Sequence, residues 1–136
     1  MPLLESGVRF ASRRMPKLIK PRTHAVLDYA VAGIFLAMGA RLWKRNRRAA
    51  VGSLLCGGAA ALNAMVTDYP GGVVHAIDYS THGRIDAGLA AVTASAPRLL
   101  GFANDDEARF FNFQALTETV ITSLTDYDYY EEEESI

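Results

Sequence analysis

Thr23-His24-Ala25-Val26-Leu27-Asp28 returns later in the chain as Thr81-His82-Gly83-Arg84-Ile85-Asp86, and the reading of that pair decides the fold. A second motif keeps the same offset: Thr67-Asp68-Tyr69 returns as Thr125-Asp126-Tyr127. Two motifs that share one period without slip predict an internal duplication. What lies between them is apolar and of helical length, so each copy reads as a helical hairpin. Thr23 is placed to cap the first helix, its hydroxyl accepting an orphan backbone N–H. Residues 24–43 are nearly all apolar, and twenty residues at about 1.5 Å each span about 30 Å, the depth of a bilayer's hydrocarbon core.

A second helix is predicted over 47–67, and its stretch 49–67 carries no charge. Asp68-Tyr69-Pro70-Gly71-Gly72 stops it. Ser80-Thr81 caps a third helix over 82–100, with Pro97 expected to kink or end it. Asn104-Asp105-Asp106-Glu107 is an acidic start for a fourth, over 107–125, where negative charge suits the positive end of the helix dipole. The expectation is an all-α, four-helix up-down transmembrane bundle built from two duplicated helical hairpins. Its parts are a basic arm (1–22), a first hairpin (23–69), a linker (70–80), a second hairpin (81–127) and an acidic, solvated tail (128–136).

Charge is distributed to match. Residues 1–50 hold 11 Lys and Arg against 2 acids, and residues 51–136 hold 3 against 13. The near-zero mean hydropathy of +0.07 averages charged ends with an apolar middle. Trp43 with Lys44, Arg45, Arg47 and Arg48 reads as an interfacial flank, and no aromatic or motif context makes it a nucleic-acid surface. The expected partners are the lipid bilayer and other membrane subunits, or a second copy of the chain; no nucleic acid is expected. Small residues spaced by four (Gly33/Ala37, Gly57/Ala61, Gly83/Ala87/Ala91/Ser95) suit close helix packing in lipid. Cations divide evenly between the two sides, so the positive-inside rule gives no orientation. A single Cys56 excludes an internal disulfide and a Cys-based zinc site.

In an up-down bundle the first motif opens the odd helices and the second closes the even ones. His24, Asp28, Asp68, Tyr69, His82, Asp86, Asp126 and Tyr127 should therefore gather at one end. His and Asp four apart share a helix face. Two accounts fit. One is a polar clasp that ties the hairpins together, with Thr capping, Asp facing a helix dipole and Tyr at an interface. The other is a site, in which His24, Asp28, Asp68, His82, Asp86 and Asp126 hold a divalent metal or pass protons. Only His24, His75 and His82 could bring imidazole to a haem iron. The cofactor stays unspecified, and no nucleophile–base set, phosphate loop or dinucleotide motif is visible. Glu118 stands alone on the fourth helix, opposite Ala60 in the repeat. A non-enzymatic accessory or scaffolding subunit of a larger membrane complex is the first functional reading, and a metal-binding or proton-handling membrane protein the second.

The segment Ala96-Pro97-Arg98-Leu99-Leu100-Gly101-Phe102 resembles the bacterial SPW-repeat membrane proteins, in which a helix ends in Ser-Pro-Trp before a Leu-Gly-Phe-like turn. Here Ala96 and Arg98 stand in place of the Ser and the Trp. Residues 21–29 are similar to the Pro-Arg-Thr-His-x-x-x-Asp-Tyr-like opening of small bacterial proteins. The resemblance covers roughly residues 21–127 and implies a four-helix protein of the bacterial inner (cytoplasmic) membrane. It implies no activity and no catalytic residues.

Overall fold

The computed structural model describes residues 16–130. It consists of four helices, α1 (Pro21–Leu42), α2 (Arg47–Met65), α3 (Tyr79–Leu99) and α4 (Ala108–Leu124), in an up-down bundle. Packing is most extensive within the hairpins α1/α2 and α3/α4. The predicted basic arm falls mostly outside the described residues, as does the tail beyond residue 130.

Both odd helices start earlier than the Thr signals predict. Pro21 occupies the first turn of α1, with Lys20 as the extended cap residue. Proline's fixed φ is preorganised for a helix start and its missing N–H costs nothing there, so Thr23 lies inside the helix and does not cap it. In α3 the cap is Asp78, whose carboxylate accepts from the Thr81 N–H at 2.6 Å. Hydrogen bonding from Thr81 holds the Asp78 carboxyl below its ordinary range. Pro97 lies inside α3, two residues before its last residue, Leu99. The helix closes beyond it, where the Phe102 N–H reaches the Pro97 carbonyl at 2.8 Å and Gly101 takes φ +78. That is a Schellman closure, with Phe102 and Pro97 both buried at its apolar contact.

The far end, opposite the motifs, is tied by side chains. Asn46 caps α2 by accepting from the Ala49 N–H at 3.2 Å, and donates to Asp105 (2.8 Å) and Glu107 (3.1 Å). The acidic run predicted to start α4 therefore also joins the two hairpins. Beneath it lies the apolar core of Phe35, Leu42, Phe102 and Phe111, with Phe102 and Phe111 edge-on at 4.9 Å. Glycine permits the close approach of α1 and α2: a Cβ on Gly57 would stand 2.8 Å from Phe35, and one on Gly39 would stand 2.6 Å from Leu54. Gly33, by contrast, faces open space and takes no part in this packing.

At the motif end the chain segments before α1 and α3 are pinned in like fashion. The Ile19 N–H donates to the Leu124 carbonyl and the Ile77 N–H to the Val66 carbonyl, both at 3.0 Å. The parallel bridges Ile19–Thr125 and Thr67–Ile77 stand at the offset that separates His24 from His82, 58 residues. These pairs bring the ends of α2 and α4 against the starts of α3 and α1. Among the described residues α1 alone is long and apolar enough to cross a membrane by length and composition. The uncharged stretch of α2 is rich in Gly and Ala, which lowers its hydropathy below that of a Leu-rich span.

Candidate metal centre

His24 and Asp28 stand one turn apart on α1, His82 and Asp86 one turn apart on α3. The bundle turns these faces inward and toward each other. His24 Nε2 lies 3.1 Å from Asp28 Oδ1 and 3.0 Å from Asp86 Oδ2. His82 Nε2 lies 3.1 Å from Asp28 Oδ2 and 3.0 Å from Asp86 Oδ2. The two Nε2 atoms are 3.2 Å apart. Both imidazoles are fully buried, while the carboxylates keep 12% and 14% of their side-chain surface exposed.

The other ring nitrogens fix what these atoms can be. Thr67 donates its hydroxyl proton to the Asn63 carbonyl at 2.5 Å, and Thr125 donates to the Ile121 carbonyl at 2.6 Å. Each threonine oxygen is then an acceptor for the histidine beside it. His82 Nδ1 donates to Thr67 Oγ1 and His24 Nδ1 to Thr125 Oγ1, both at 2.8 Å. With the proton placed on Nδ1, each neutral ring turns its Nε2 lone pair into the cluster. An acceptor that fixes the tautomer in this way is what a metal-bound histidine requires.

The carboxylates are oriented too. The Tyr69 hydroxyl donates to Asp28 Oδ2 at 2.8 Å, and the Tyr127 hydroxyl donates to Asp86 Oδ2 at 3.0 Å. Burial first, and then the neighbouring carboxylate, hold both phenols above their ordinary range, so each remains a donor. The Asn63 amide adds a bond to Asp86 Oδ1 at 3.0 Å. Tyr79 stacks on Tyr69 and sits 5.8 Å from each histidine ring, closing the centre from the end of the bundle. Outside this layer lies an open basin of about 510 Å³, lined among others by Asp68, His75, Asp78 and Tyr130.

The predicted eight residues therefore divide. His24, Asp28, His82 and Asp86 converge as one group able to hold a metal ion. Tyr69 and Tyr127 support them from behind. Asp68 does not join: it is exposed and pairs with His75 at 2.8 Å. Asp126 instead accepts the Asp128 N–H at 3.1 Å. The reason is local, since Thr67 and Thr125 point inward and the residue after each points elsewhere. Asn63 and Tyr79 were not singled out by the sequence, because neither recurs: Ile121 and Pro21 hold the corresponding positions. The threonines' role was legible in principle, because both repeat with the histidines they serve.

The charge balance limits what this arrangement can do. With neutral imidazoles the group carries two negative charges, largely buried and, among the described residues, without a cationic partner. Buried charge of this kind is costly unless compensated. Two added protons or one divalent cation would neutralise it. Comparison with family models, with curated proteins and with solved structures returns no match for this chain.

Proposed function

We propose that this chain is an integral membrane protein whose two like hairpins enclose one divalent transition-metal ion, held by His24, Asp28, His82 and Asp86. One observation carries the reading. His24 Nε2, His82 Nε2 and Asp86 Oδ2 lie 3.0–3.2 Å from one another, each Nε2 has an Asp28 oxygen at 3.1 Å, and one ligand atom from each of the four residues lies within 4.8 Å of the other three. Ligands about 2.0 Å from a tetrahedral ion stand about 3.3 Å from one another. Two protons would neutralise the charge equally well, each Nε2–H donating to a carboxylate, but they would hold two cationic rings with their Nε2 atoms 3.2 Å apart. A single ion satisfies both nitrogens and both carboxylates at once. Two imidazoles with two carboxylates and no thiolate suit zinc, manganese, iron(II) or cobalt(II).

Support for the membrane comes from the outward faces. The exposed positions of α1 from Val26 to Ala40 are all apolar or Tyr29, and α2 shows Leu55, Gly58, Ala59, Leu62 and Met65. The apolar window of α1 is 28% buried, whereas a soluble core helix is mostly buried. Leu55, Phe113 and Leu116 are each more than 60% exposed, and large exposed apolar side chains of this kind suit a lipid or protein contact. Arg47 stacks over Trp43 at 4.0 Å, an arrangement suited to an interface. The like hydrogen bonds of the two hairpins support their origin by duplication. An accessory role in a larger membrane complex is supported by Gly33, Gly58 and Gly88, which leave open small-residue positions on the outer surface.

Elemental analysis of protein purified in detergent tests the metal. The wild type is expected to hold one transition-metal ion per chain, and His24→Ala and His82→Ala to hold none while remaining helical. Metal-free wild type that cannot be loaded by added zinc or manganese would overturn the reading. Release by carbonate washing of membranes would overturn the membrane placement independently.

A further inference from the structure

Below the histidine pair, away from the tyrosine layer, the carboxylates open onto a cavity of about 30 Å³ lined by Asp28, Asp86, Leu89, Glu118, Ile121 and Thr122, among others. About 10–15 Å³ of such space accommodates one water molecule. Glu118 enters from α4, the repeat counterpart of Ala60 across the same cavity. Its carboxyl receives the Thr93 hydroxyl at 3.2 and 3.4 Å, the only hydrogen bonds it makes among the described residues. A largely buried carboxyl with a single donor is under-satisfied. Two more buried atoms on the adjoining turns share that condition: Asn63 Oδ1, beside Asp86, and Gln114 Nε2, one turn before Glu118. The histidines and the tyrosine layer seal the opposite side. The cavity is therefore the open face of the centre, where the carboxyls of Asp28, Asp86 and Glu118 offer hydrogen bonds to a small polar molecule among the apolar side chains of Val31, Ala60, Leu89 and Ile121.

We propose that this cavity is the exogenous-ligand position of the metal centre: a water-sized molecule binds the ion between Asp28 and Asp86 and is hydrogen-bonded by Glu118. The proposal rests on the metal reading above. It adds an open coordination position to a site whose four protein ligands would otherwise be complete, and it assigns Glu118 as the positioning residue. The size of the cavity restricts the ligand to water, hydroxide or a species of similar volume. The asymmetry has a purpose on this account: a single carboxyl serves the single cavity, where strict repetition would have placed two.

Cobalt(II) loaded into the purified protein tests it, because its visible absorption reports coordination number without needing an activity. The wild type is expected to give the weak bands of a five-coordinate ion. Leu89→Phe, which fills the cavity without touching a ligand, should intensify them several-fold toward the four-coordinate spectrum. Glu118→Gln keeps the shape and is expected to shift the bands while retaining the ion. Cobalt bound with the same spectrum in wild type and both variants, or a four-coordinate spectrum in the wild type, would overturn the proposal and leave the metal site standing. Failure of the wild type to bind cobalt would overturn the metal reading itself.

Discussion

Thr67 and Thr125 each do two things with one hydroxyl, donating to their own helix and accepting from a histidine of the other hairpin. Thr67→Val and Thr125→Val keep the shape and remove the acceptor. Each is expected to weaken metal affinity about 10- to 100-fold, read by competition with a chromophoric chelator. The tyrosines give a pH prediction. Because the folded-state values of Tyr69 and Tyr127 are raised, their contribution is fully present below the unfolded phenol value of about 10 and is lost as pH rises beyond it. Thermal unfolding across that alkaline range should therefore show a steeper fall in stability for wild type than for Tyr69→Phe. At this scale the sequence was informative about the four residues that converge and misleading about their neighbours. The spacing His-x-x-x-Asp places both groups on one helix face, whereas nothing in Thr-Asp-Tyr says which of the three turns inward after a helix has ended.

Among the elements, α3 shows most clearly how one helix serves packing on one side and something else on the other. A Cβ on Gly83 would lie 2.7 Å from the Tyr127 ring, while one on Gly88 would meet nothing within 4 Å. Gly83→Ala should therefore cost about 1–3 kcal/mol and displace the tyrosine that orients Asp86. Gly88→Ala should be stabilising by about 0.5–1 kcal/mol, from helix propensity alone. Denaturant unfolding in detergent would separate the two. The four helices were legible from their apolar lengths and turn residues. Their starts were less so: Thr23 and Ser80-Thr81 look like caps, but Pro21 and Asp78 lie upstream and nucleate the turn first. Which small residues pack was not legible either, since Gly33 and Gly57 read alike in sequence and differ only in the neighbour each meets.

For the molecule as a whole, an ion shared by α1 and α3 would bind the folded chain alone, so free metal at about 100 times its Kd should add about 2.7 kcal/mol to stability. Thermal denaturation with and without chelator checks this, and the gain should vanish as acid protonates the ligand nitrogens. Stripping should be slow, because both imidazoles are fully buried behind the tyrosine layer. The bundle could be foreseen from hydrophobic pattern and repeat, but which large apolar side chains stay exposed could not, because periodicity does not say which face a neighbour covers. The crossed threonine–histidine bonds carry one more consequence. Each hairpin supplies the acceptor that orients the other's histidine, so neither half holds the whole histidine–aspartate group and the two are complementary parts. A chain cut between Val74 and His75, with both fragments produced in the same cell, is expected to reassemble into a metal-binding heterodimer, while either fragment alone should retain no ion. The linker's task would then be to set stoichiometry, fixing one partner for each half, and copurification of the two fragments on a tag carried by one would measure how far that task can be dispensed with.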